Sequence, residues 1–278
     1  MNKIIINADD CGISESIDKG IFYCLDKNLI SDFSLMANGE NFENTLRNIK
    51  SRNIKNVGCH ICLVDQEKML ADDSKEILGT NNRFYKSSTP YKFFFNSFFG
   101  KEIKQQCELE INKQISKILD HNLKISHLDS HQHTHLFPML SSIFINACEK
   151  YKIKFLRQPI SFKRNFRGLP FTFFSNIFKS RVKKKQIFKL NTYGFDWNNG
   201  VEYDSLVKLV EKNDHFNNIT FEILCHPGEV NDHTLNKYDH WNFKNWEKEI
   251  EVLKKVKEFL IKKNIKIISF NELSTLQK

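Results

Sequence analysis

The sequence has 278 residues, of which 40% are hydrophobic and 27% are charged, and its formal net charge is +9. These values describe a globular chain long enough for one large α/β domain, and they exclude a disordered or fibrous protein. The N-terminus holds a run of only three isoleucines and no stretch approaches the roughly 20 apolar residues of a membrane helix, so we expect a cytoplasmic protein without a signal peptide.

Short apolar runs alternate with amphipathic runs from end to end. Eight strands are predicted, in chain order, at Lys3–Ala8, Phe33–Ala37, Asn56–Leu63, Lys124–Leu128, Ile153–Leu156, Phe188–Tyr193, Ile219–Cys225 and Ile265–Ser269. The first helix is predicted to begin after Ser14 as its N-cap and to place Ile17, Ile21 and Leu25 on one face. Further helices are predicted at Phe42–Lys50, Glu102–His121, Met139–Lys150, Tyr203–Lys212, Trp241–Lys263 and Asn271–Leu276.

This alternation predicts a parallel sheet covered by helices, in a single domain over residues 1–278. A distorted (β/α) barrel of seven to eight units and an open doubly wound sheet both fit the pattern. No glycine-rich phosphate motif follows any strand, so the sheet lacks the usual evidence for nucleotide binding. Two segments, about 65–100 and 161–190, interrupt the alternation, and we expect them as insertions on the active-site face.

Ionisable residues follow five of the predicted strands at the point where each strand ends. In parallel α/β folds the catalytic groups lie just beyond the carboxyl ends of the strands, so we expect these side chains to converge. They are Asp9 and Asp10, His60, the run His127–His135, Arg157 and His226.

Most of these residues have a structural explanation when each is taken alone. An Asp pair can cap a helix, a single His in an apolar strand is often a core residue, and Pro-Gly after His226 suits a turn. Four His within the nine residues His127–His135 are hard to explain by packing and favour a metal site. The residues alone leave open which of these His, and which of Asp9 and Asp10, bind the metal.

Two imidazoles and one carboxylate leave coordination positions open, as catalytic metal sites require. Such a site polarises a carbonyl and lowers the pKa of bound water, while a second carboxylate takes the proton of that water. Asp9 and Asp10 can divide the two carboxylate roles, and His226 is a candidate acid for an amine leaving group. Arg157 could orient the paired carboxylate or bind a substrate oxygen. Magnesium, zinc and manganese all accept this donor set.

Five motifs stand in a fixed order along the chain, from residue 5 to about residue 230. They are Ile6–Ser14, Gly58–Leu63, His127–His135, Arg157–Pro159 and His226–Gly228. Their combination resembles the YdjC-like family of carbohydrate deacetylases, which includes chitooligosaccharide deacetylases and hopanoid-associated relatives. The Asp-Asp motif alone would be a weak signal, whereas the combination is specific.

The resemblance implies a distorted (β/α) barrel that binds a divalent metal, usually taken as magnesium, and that forms a homodimer. Carried across residue by residue, it makes Asp10, His60 and His131 the metal ligands, Asp9 the base and His226 the acid. The implied substrate is an N-acetylated mono-, oligo- or lipid-linked saccharide, and the shared motifs do not select among these.

The sequence departs from the family pattern beside the implied ligands. Cys11 stands where an aromatic residue is usual, and Cys59 and Cys62 replace residues that are more often apolar or polar. These departures bear on substrate fit more than on metal binding.

The other polar residues of the His127–His135 run are given supporting roles. Asp129 is expected to orient a ligand, and His127 to support a ligand or pack in the core. His133 and His135 are expected at the rim of the site or at the start of a helix.

Three functions are compatible with these residues. The first is a metal-dependent deacetylase acting on an N-acetylated sugar. The second is a metal-dependent hydrolase of another amide or of a phosphoester, which would need a second metal and more carboxylates at strand ends than the sequence shows. The third is a non-catalytic sugar-binding relative, which would be expected to lack a ligand, Asp9 or His226. We expect the first.

The positive charge is concentrated in segment 161–190, which holds nine Lys and Arg residues, no acidic residue and many Phe. This segment could be a solvated loop and helix packed on the barrel, a wall that binds an anionic or long saccharide, or a peripheral contact with an acidic inner membrane surface. No nucleic-acid partner is expected, because no recognised binding module accompanies the charge.

Overall fold

Parallel strands form the centre of the computed structural model, which describes residues 3–65, 67–71, 79–81, 83–84, 100–160, 168–182, 187–194, 200–213, 220–229, 235–236 and 246–276. In chain order the strands are β1 (Lys3–Cys11), β2 (Asp32–Leu35), β3 (Asn56–Ile61), β4 (Gly79–Thr80), β5 (Arg83–Phe84), β6 (Lys124–Ser130), β7 (Phe155–Pro159), β8 (Phe188–Tyr193), β9 (Thr220–Cys225) and β10 (Lys266–Ile267). Seven of them follow one another in the order β1-β2-β3-β6-β7-β8-β9, and β9 pairs with β1 to close a barrel. The barrel interpretation is therefore confirmed over the open sheet.

Helices connect and cover the strands. They are α1 (Glu15–Asp26), α2 (Phe42–Ser51), α3 (Lys101–Asp120), a 3-10 helix (His131–Leu136), α4 (Pro138–Tyr151), α5 (Gly168–Val182), α6 (Tyr203–Asn213), α7 (Trp246–Lys262) and α8 (Phe270–Leu276). The first begins as its sequence predicts, because Ser14 is extended and its Oγ accepts a hydrogen bond from the Ile17 amide at 3.3 Å. Ile17 and Ile21 are fully buried against the barrel.

The amino-terminal end of the barrel is closed by the last two elements. β10 pairs with the first residues of β1, at Lys3 and Ile4, whereas β2 pairs with β1 only from Asn7 onward. α8 then places Phe270 against the His127 ring, with the centroids 3.8 Å apart and the rings stacked. The chain end therefore plugs the face of the barrel opposite to the predicted active site.

Segment 161–190, which was expected to be an insertion, contains a helix and the start of a barrel strand. It includes α5 and the start of β8, so part of it belongs to the barrel itself. Six of its nine basic residues, Lys163, Arg164, Arg167, Lys183, Lys184 and Lys185, lie outside the described residues. Arg181 is described, and its Nη1 donates to Ser141 Oγ of α4 at 2.6 Å, so this charge contributes to packing.

Segment 65–100 is described only in part. Its hairpin β4–β5 is antiparallel and separate from the barrel, and the aromatic cluster 91–99 lies outside the described residues. The carboxylate of Glu110 on α3 accepts hydrogen bonds from the amides of Leu70 and Ala71, at 2.9 and 2.8 Å. The described start of this segment is thus anchored to the barrel's helical layer.

All seven cysteines are buried and none forms a disulfide. Within the part of the chain that the structure describes, no helix combines the length and apolarity needed to cross a lipid bilayer.

Replacing Phe270 by Ala should lower the free energy of unfolding by about 3–5 kcal/mol, because it removes a buried aromatic ring from the end of the barrel. The matched control is Leu276→Ala on the same helix, where the side chain is 58% exposed and the expected change is within about 0.5 kcal/mol. Urea unfolding followed by circular dichroism measures both. Equal losses in the two variants would contradict a plugging role for Phe270.

Candidate active site

The Asp9 and Asp10 side chains lie at one site because β1 contains a β-bulge where it pairs with β2. Ala8 pairs with Phe33 and Cys11 with Leu35, so three steps along β1 match two along β2. Asp10 has a φ of 63°, in the left-handed region. Consecutive side chains of a regular strand face opposite sides, and a bulge changes that direction locally. Both carboxylates therefore reach the carboxyl end of the barrel.

Asp10, His60 and His131 meet at that end. Asp10 Oδ1 lies 2.8 Å from His131 Nδ1 and 3.1 Å from His60 Nε2, and all three side chains are buried. The remaining nitrogen of each imidazole donates to another carboxylate: His60 Nδ1 to Asp129 at 2.8 Å, and His131 Nε2 to Asp65 at 2.9 Å. Such carboxylate partners fix the orientation of an imidazole that binds metal.

The pairing of β3 with β6 brings His60 and Asp129 into contact. The two residues are direct partners across β3 and β6, so their side chains leave the sheet on the same face. His131 follows β6 as the first residue of the 3-10 helix, and the next two residues, Gln132 and His133, both have a φ of 53°. Gln132 Nε2 donates to Asp65 at 2.5 Å, which ties this turn to the residues that follow β3.

The three residues carry complementary charges. Burial by itself would raise the pKa of Asp10, but His131 and His60 outweigh it and hold that pKa well below its usual value. Burial would lower the pKa of His60, but Asp129 and Asp9 raise it to about 9. Burial likewise opposes protonation of His131, whose pKa Asp10 and Asp65 raise well above the usual value. In the metal-free protein, these shifts favour protonated imidazoles beside an ionised Asp10.

The donor set fits a divalent metal ion. Asp10 Oδ2 is buried, and no hydrogen-bond partner for it lies among the described residues. The ligand atoms of Asp10, His60 and His131 all lie within 4.8 Å of one another. Two imidazoles and one carboxylate are a common catalytic ligand set, so these three residues could hold a metal ion.

Arg157 lies beneath this group and pairs with three carboxylates. Its Nη1 donates to Asp9 Oδ2 at 2.5 Å and its Nη2 donates to Asp9 Oδ1 at 2.8 Å. The same Nη2 lies 2.8 Å from Asp129 Oδ2 and 2.5 Å from Glu222 Oε1. The guanidinium is fully buried, so this geometry supports the orienting role predicted for Arg157 rather than contact with a substrate oxygen.

Three further carboxylates lie near the Asp10 group. Asp65, Asp129 and Glu222 are buried near the Asp9–Asp10 pair, and two further groups, Asp9–His60–Asp129 and His127–Asp129–Glu222, also lie within coordination distance. The sequence signal for Glu222 was a charge inside an apolar strand, whereas Asp65 follows no pattern that could have marked it. Arg157 pairs with Asp9, Asp129 and Glu222, whereas Asp65 faces His131.

His226 lies on the other side of Asp10, on the segment that follows β9. Its Nε2 is 3.9 Å from Asp10 Oδ2, and its side chain is 18% exposed, in contrast with the buried ligand group. Burial lowers the pKa of His226, although Asp10 and Asp9 oppose this shift. Its ring stacks on Trp246, with centroids 4.8 Å apart. A partly exposed imidazole therefore borders the candidate metal site.

His127 and His135 of the 127–135 run are buried away from the Asp10 group. His127 Nε2 bonds to Ser34 Oγ at 2.9 Å, and burial lowers its pKa to about 3, in agreement with a packing role. His135 was expected at the rim or at the start of a helix, and the rim interpretation is wrong because the residue is fully buried. Its Nε2 donates to the backbone oxygen of Arg157 at 3.1 Å, so it braces the strand that carries the guanidinium.

Proteins similar to this chain are named carbohydrate deacetylases. One from Brevibacillus brevis (strain 47) is 24% identical over 274 residues, covering 98% of this chain and 99% of that protein. Another from Listeria monocytogenes serotype 4b (strain CLIP80459) is 26% identical over 273 residues, covering 98% and 100%.

The fold also matches a crystal structure of a proposed cellobiose-phosphate cleavage protein from Enterococcus faecalis V583. The TM-score is 0.76 at 18% identity, with 98% of this chain and 99% of that chain covered. This likeness supports the barrel fold alone. The model of the YdjC-like protein family matches residues 3–260, and on that match the chain belongs to the YdjC-like family.

Proposed function

We propose that this protein is a metal-dependent hydrolase that removes the acetyl group from an N-acetylated sugar. The observation that carries the proposal is the convergence of Asp10, His60 and His131 on one buried point, with Asp9 and His226 next to them. The substrate class is supported by the full-length relatives that are named carbohydrate deacetylases.

Asp10, His60 and His131 would hold the ion. A divalent cation bound there polarises the acetyl carbonyl and lowers the pKa of water. Magnesium is the ion proposed from the family resemblance, and zinc and manganese are alternatives because the same donors accept them.

Asp9 is the proposed base. Its carboxylate is held in one orientation by Arg157 and by Asn7, whose Nδ2 donates to Asp9 Oδ1 at 2.9 Å. A fixed carboxylate can take the proton of the attacking water without paying for reorientation. Arg157 is thus a positioning residue that acts through Asp9.

His226 is the proposed acid. The C–N bond breaks readily only when the leaving nitrogen receives a proton, and the partly exposed His226 ring is placed to reach a substrate. Water adds its oxygen to the carbonyl carbon, and the products are acetate and the free amino sugar.

Two alternatives use the same geometry. A metal-dependent hydrolase of another amide or of a phosphoester would need the same ligands, and a phosphoesterase commonly uses a second metal. The ion pairs of Arg157 with Asp9, Asp129 and Glu222 count against that second metal. A non-catalytic sugar-binding relative would not need the paired Asp9 and the nearby His226.

Other proposals rest on the sequence and the resemblance alone. They are a homodimer, a cytoplasmic location, and a peripheral contact between segment 161–190 and an acidic membrane surface.

Acetate release should return when metal-stripped protein is resupplied with magnesium, zinc or manganese. Substrates are N-acetylglucosamine oligomers and a nucleotide- or lipid-linked N-acetyl sugar. Asp10→Asn and His131→Ala should abolish release, because each removes a ligand donor. A protein that binds metal but releases acetate from none of these sugars would move the assignment to the alternatives.

Metal binding should release protons, one each from His60 and His131, because the ligands must be neutral to bind. Affinity should therefore rise as the pH increases toward about 9. In the metal-free protein, the raised pKa of His60 contributes stability that is present below pH 6.5 and lost as pH approaches about 9. Calorimetry in two buffers of different ionisation enthalpy measures the protons and the number of ions, expected to be one. Zero proton release would contradict these charge states.

The matched variant for this measurement is Asp65→Asn, which removes the carboxylate facing His131 Nε2 and leaves the Arg157 ion pairs intact. Metal affinity should fall by about 10–100-fold, the usual effect of losing such a partner.

His226→Ala should lower amide hydrolysis by about 10²–10⁴-fold, the usual contribution of a general acid. Hydrolysis of p-nitrophenyl acetate by the same variant should change far less, because its phenolate leaves without a proton. Equal losses for the amide and the ester would show that His226 does not act as the acid.

A further inference from the structure

The segment that carries His226 is packed between two helices. On one side, the Gly228 amide donates to the Trp246 backbone oxygen of α7 at 3.4 Å. On the other, the Glu229 amide donates to the Ser16 backbone oxygen of α1 at 3.2 Å. The barrel strands therefore do not by themselves determine where this segment lies.

α7 holds His226 through both its backbone and its ring. Glu249 Oε2 accepts a hydrogen bond from the His226 amide at 2.7 Å, and Glu249 is only 2% exposed. One turn earlier, Trp246 stacks on the imidazole at an interplanar angle of 24°. The first turn of this helix thus limits both translation and rotation of the imidazole.

On the other side, the backbone of α1 at Gly20 packs directly against the backbone of Pro227 and Gly228. A Cβ added there would lie 2.5 Å from Gly228 Cα and 2.8 Å from the Pro227 oxygen. Both are backbone atoms and cannot rotate away. Only glycine at position 20 lets the helix and the His226 segment sit at this distance.

We propose that Gly20, Trp246 and Glu249 are positioning residues that set the place of His226 relative to Asp10. The inference rests on the proposed function, in which His226 is the acid. A displacement of about 1 Å can lower a rate about 100-fold, so contacts that fix the segment to within a fraction of an ångström carry catalytic weight.

Gly20→Ala is the sharpest test, because the substitution should favour α1 itself but displace the segment that carries His226. In a helix interior, Ala is more favourable than Gly, so a purely local effect would stabilise α1. The added Cβ must nevertheless displace the Pro227–Gly228 backbone. We expect kcat for amide hydrolysis to fall about 10–100-fold, by the sensitivity of rate to misplacement, with KM and metal stoichiometry unchanged.

The control on the same helix is Lys19→Ala, where the side chain is exposed and pairs at the surface with Glu15. Its kcat should match that of the unmodified protein.

Glu249 offers a rescue by a conservative variant. Burial raises its pKa to about 8, so the group is largely neutral at pH 7 and Gln resembles it in charge and shape. Glu249→Gln keeps an oxygen to accept the His226 amide and should retain kcat. Glu249→Ala loses it and should lower kcat for the amide about 10–100-fold while sparing p-nitrophenyl acetate.

Imidazole NMR of ¹⁵N-His-labelled protein separates displacement from general damage. In Gly20→Ala and Glu249→Ala, the His226 signals should shift while those of the buried His127 and His135 stay in place. Unchanged His226 signals, or folded variants with full kcat, would overturn the inference and leave the proposed function standing. Absence of acetate release by the unmodified protein would instead remove the proposed function. If Gly20→Ala does not fold, the Glu249→Gln and Glu249→Ala pair decides.

Discussion

The buried ion pairs of Arg157 are the interaction on which the rest of the site depends. (β/α) barrels usually fill their interior with branched apolar side chains, whereas here Asp9, Asp129 and Glu222 point inward from three strands. Three buried carboxylates without a cation would be costly, and the guanidinium supplies that charge and a fork of donors. The same contacts link β1, β6, β7 and β9 across the barrel. The network thus ties four strands together while it fixes the direction of Asp9.

Above this network, the proposed metal site would receive the same positive charge with and without a divalent ion. Without metal, protonated His60 and His131 bring two positive charges to Asp10. A divalent cation that displaces both protons brings the same total charge. The carboxylates below would therefore experience a similar field in both states.

Sequence periodicity predicted the strands, most helix boundaries and the end of the barrel at which Asp10, His60 and His131 meet. That the side chains of Asp9 and Asp10 both reach the carboxyl end of the barrel could not be predicted, because the bulge depends on how β1 pairs with β2. Asp65 carries no periodic signal, since its role depends on a turn with a φ of 63°. α5 was obscured because the composition of segment 161–190, basic and rich in Phe, suggested an insertion more strongly than a helix.

The division between the buried residues proposed as ligands and the partly exposed His226, the proposed acid, follows from what each group would have to do. Ligands must be held where water does not compete, so strand ends and a bulge suit them. An acid must touch the leaving group of a substrate, so it cannot be buried among the barrel strands. His226 is the first residue after β9, so strand pairing does not hold its backbone in place. Its order must then come from packing, which is why Gly20 and Gly228 bring backbones into contact and why Glu249, though buried, faces a backbone amide.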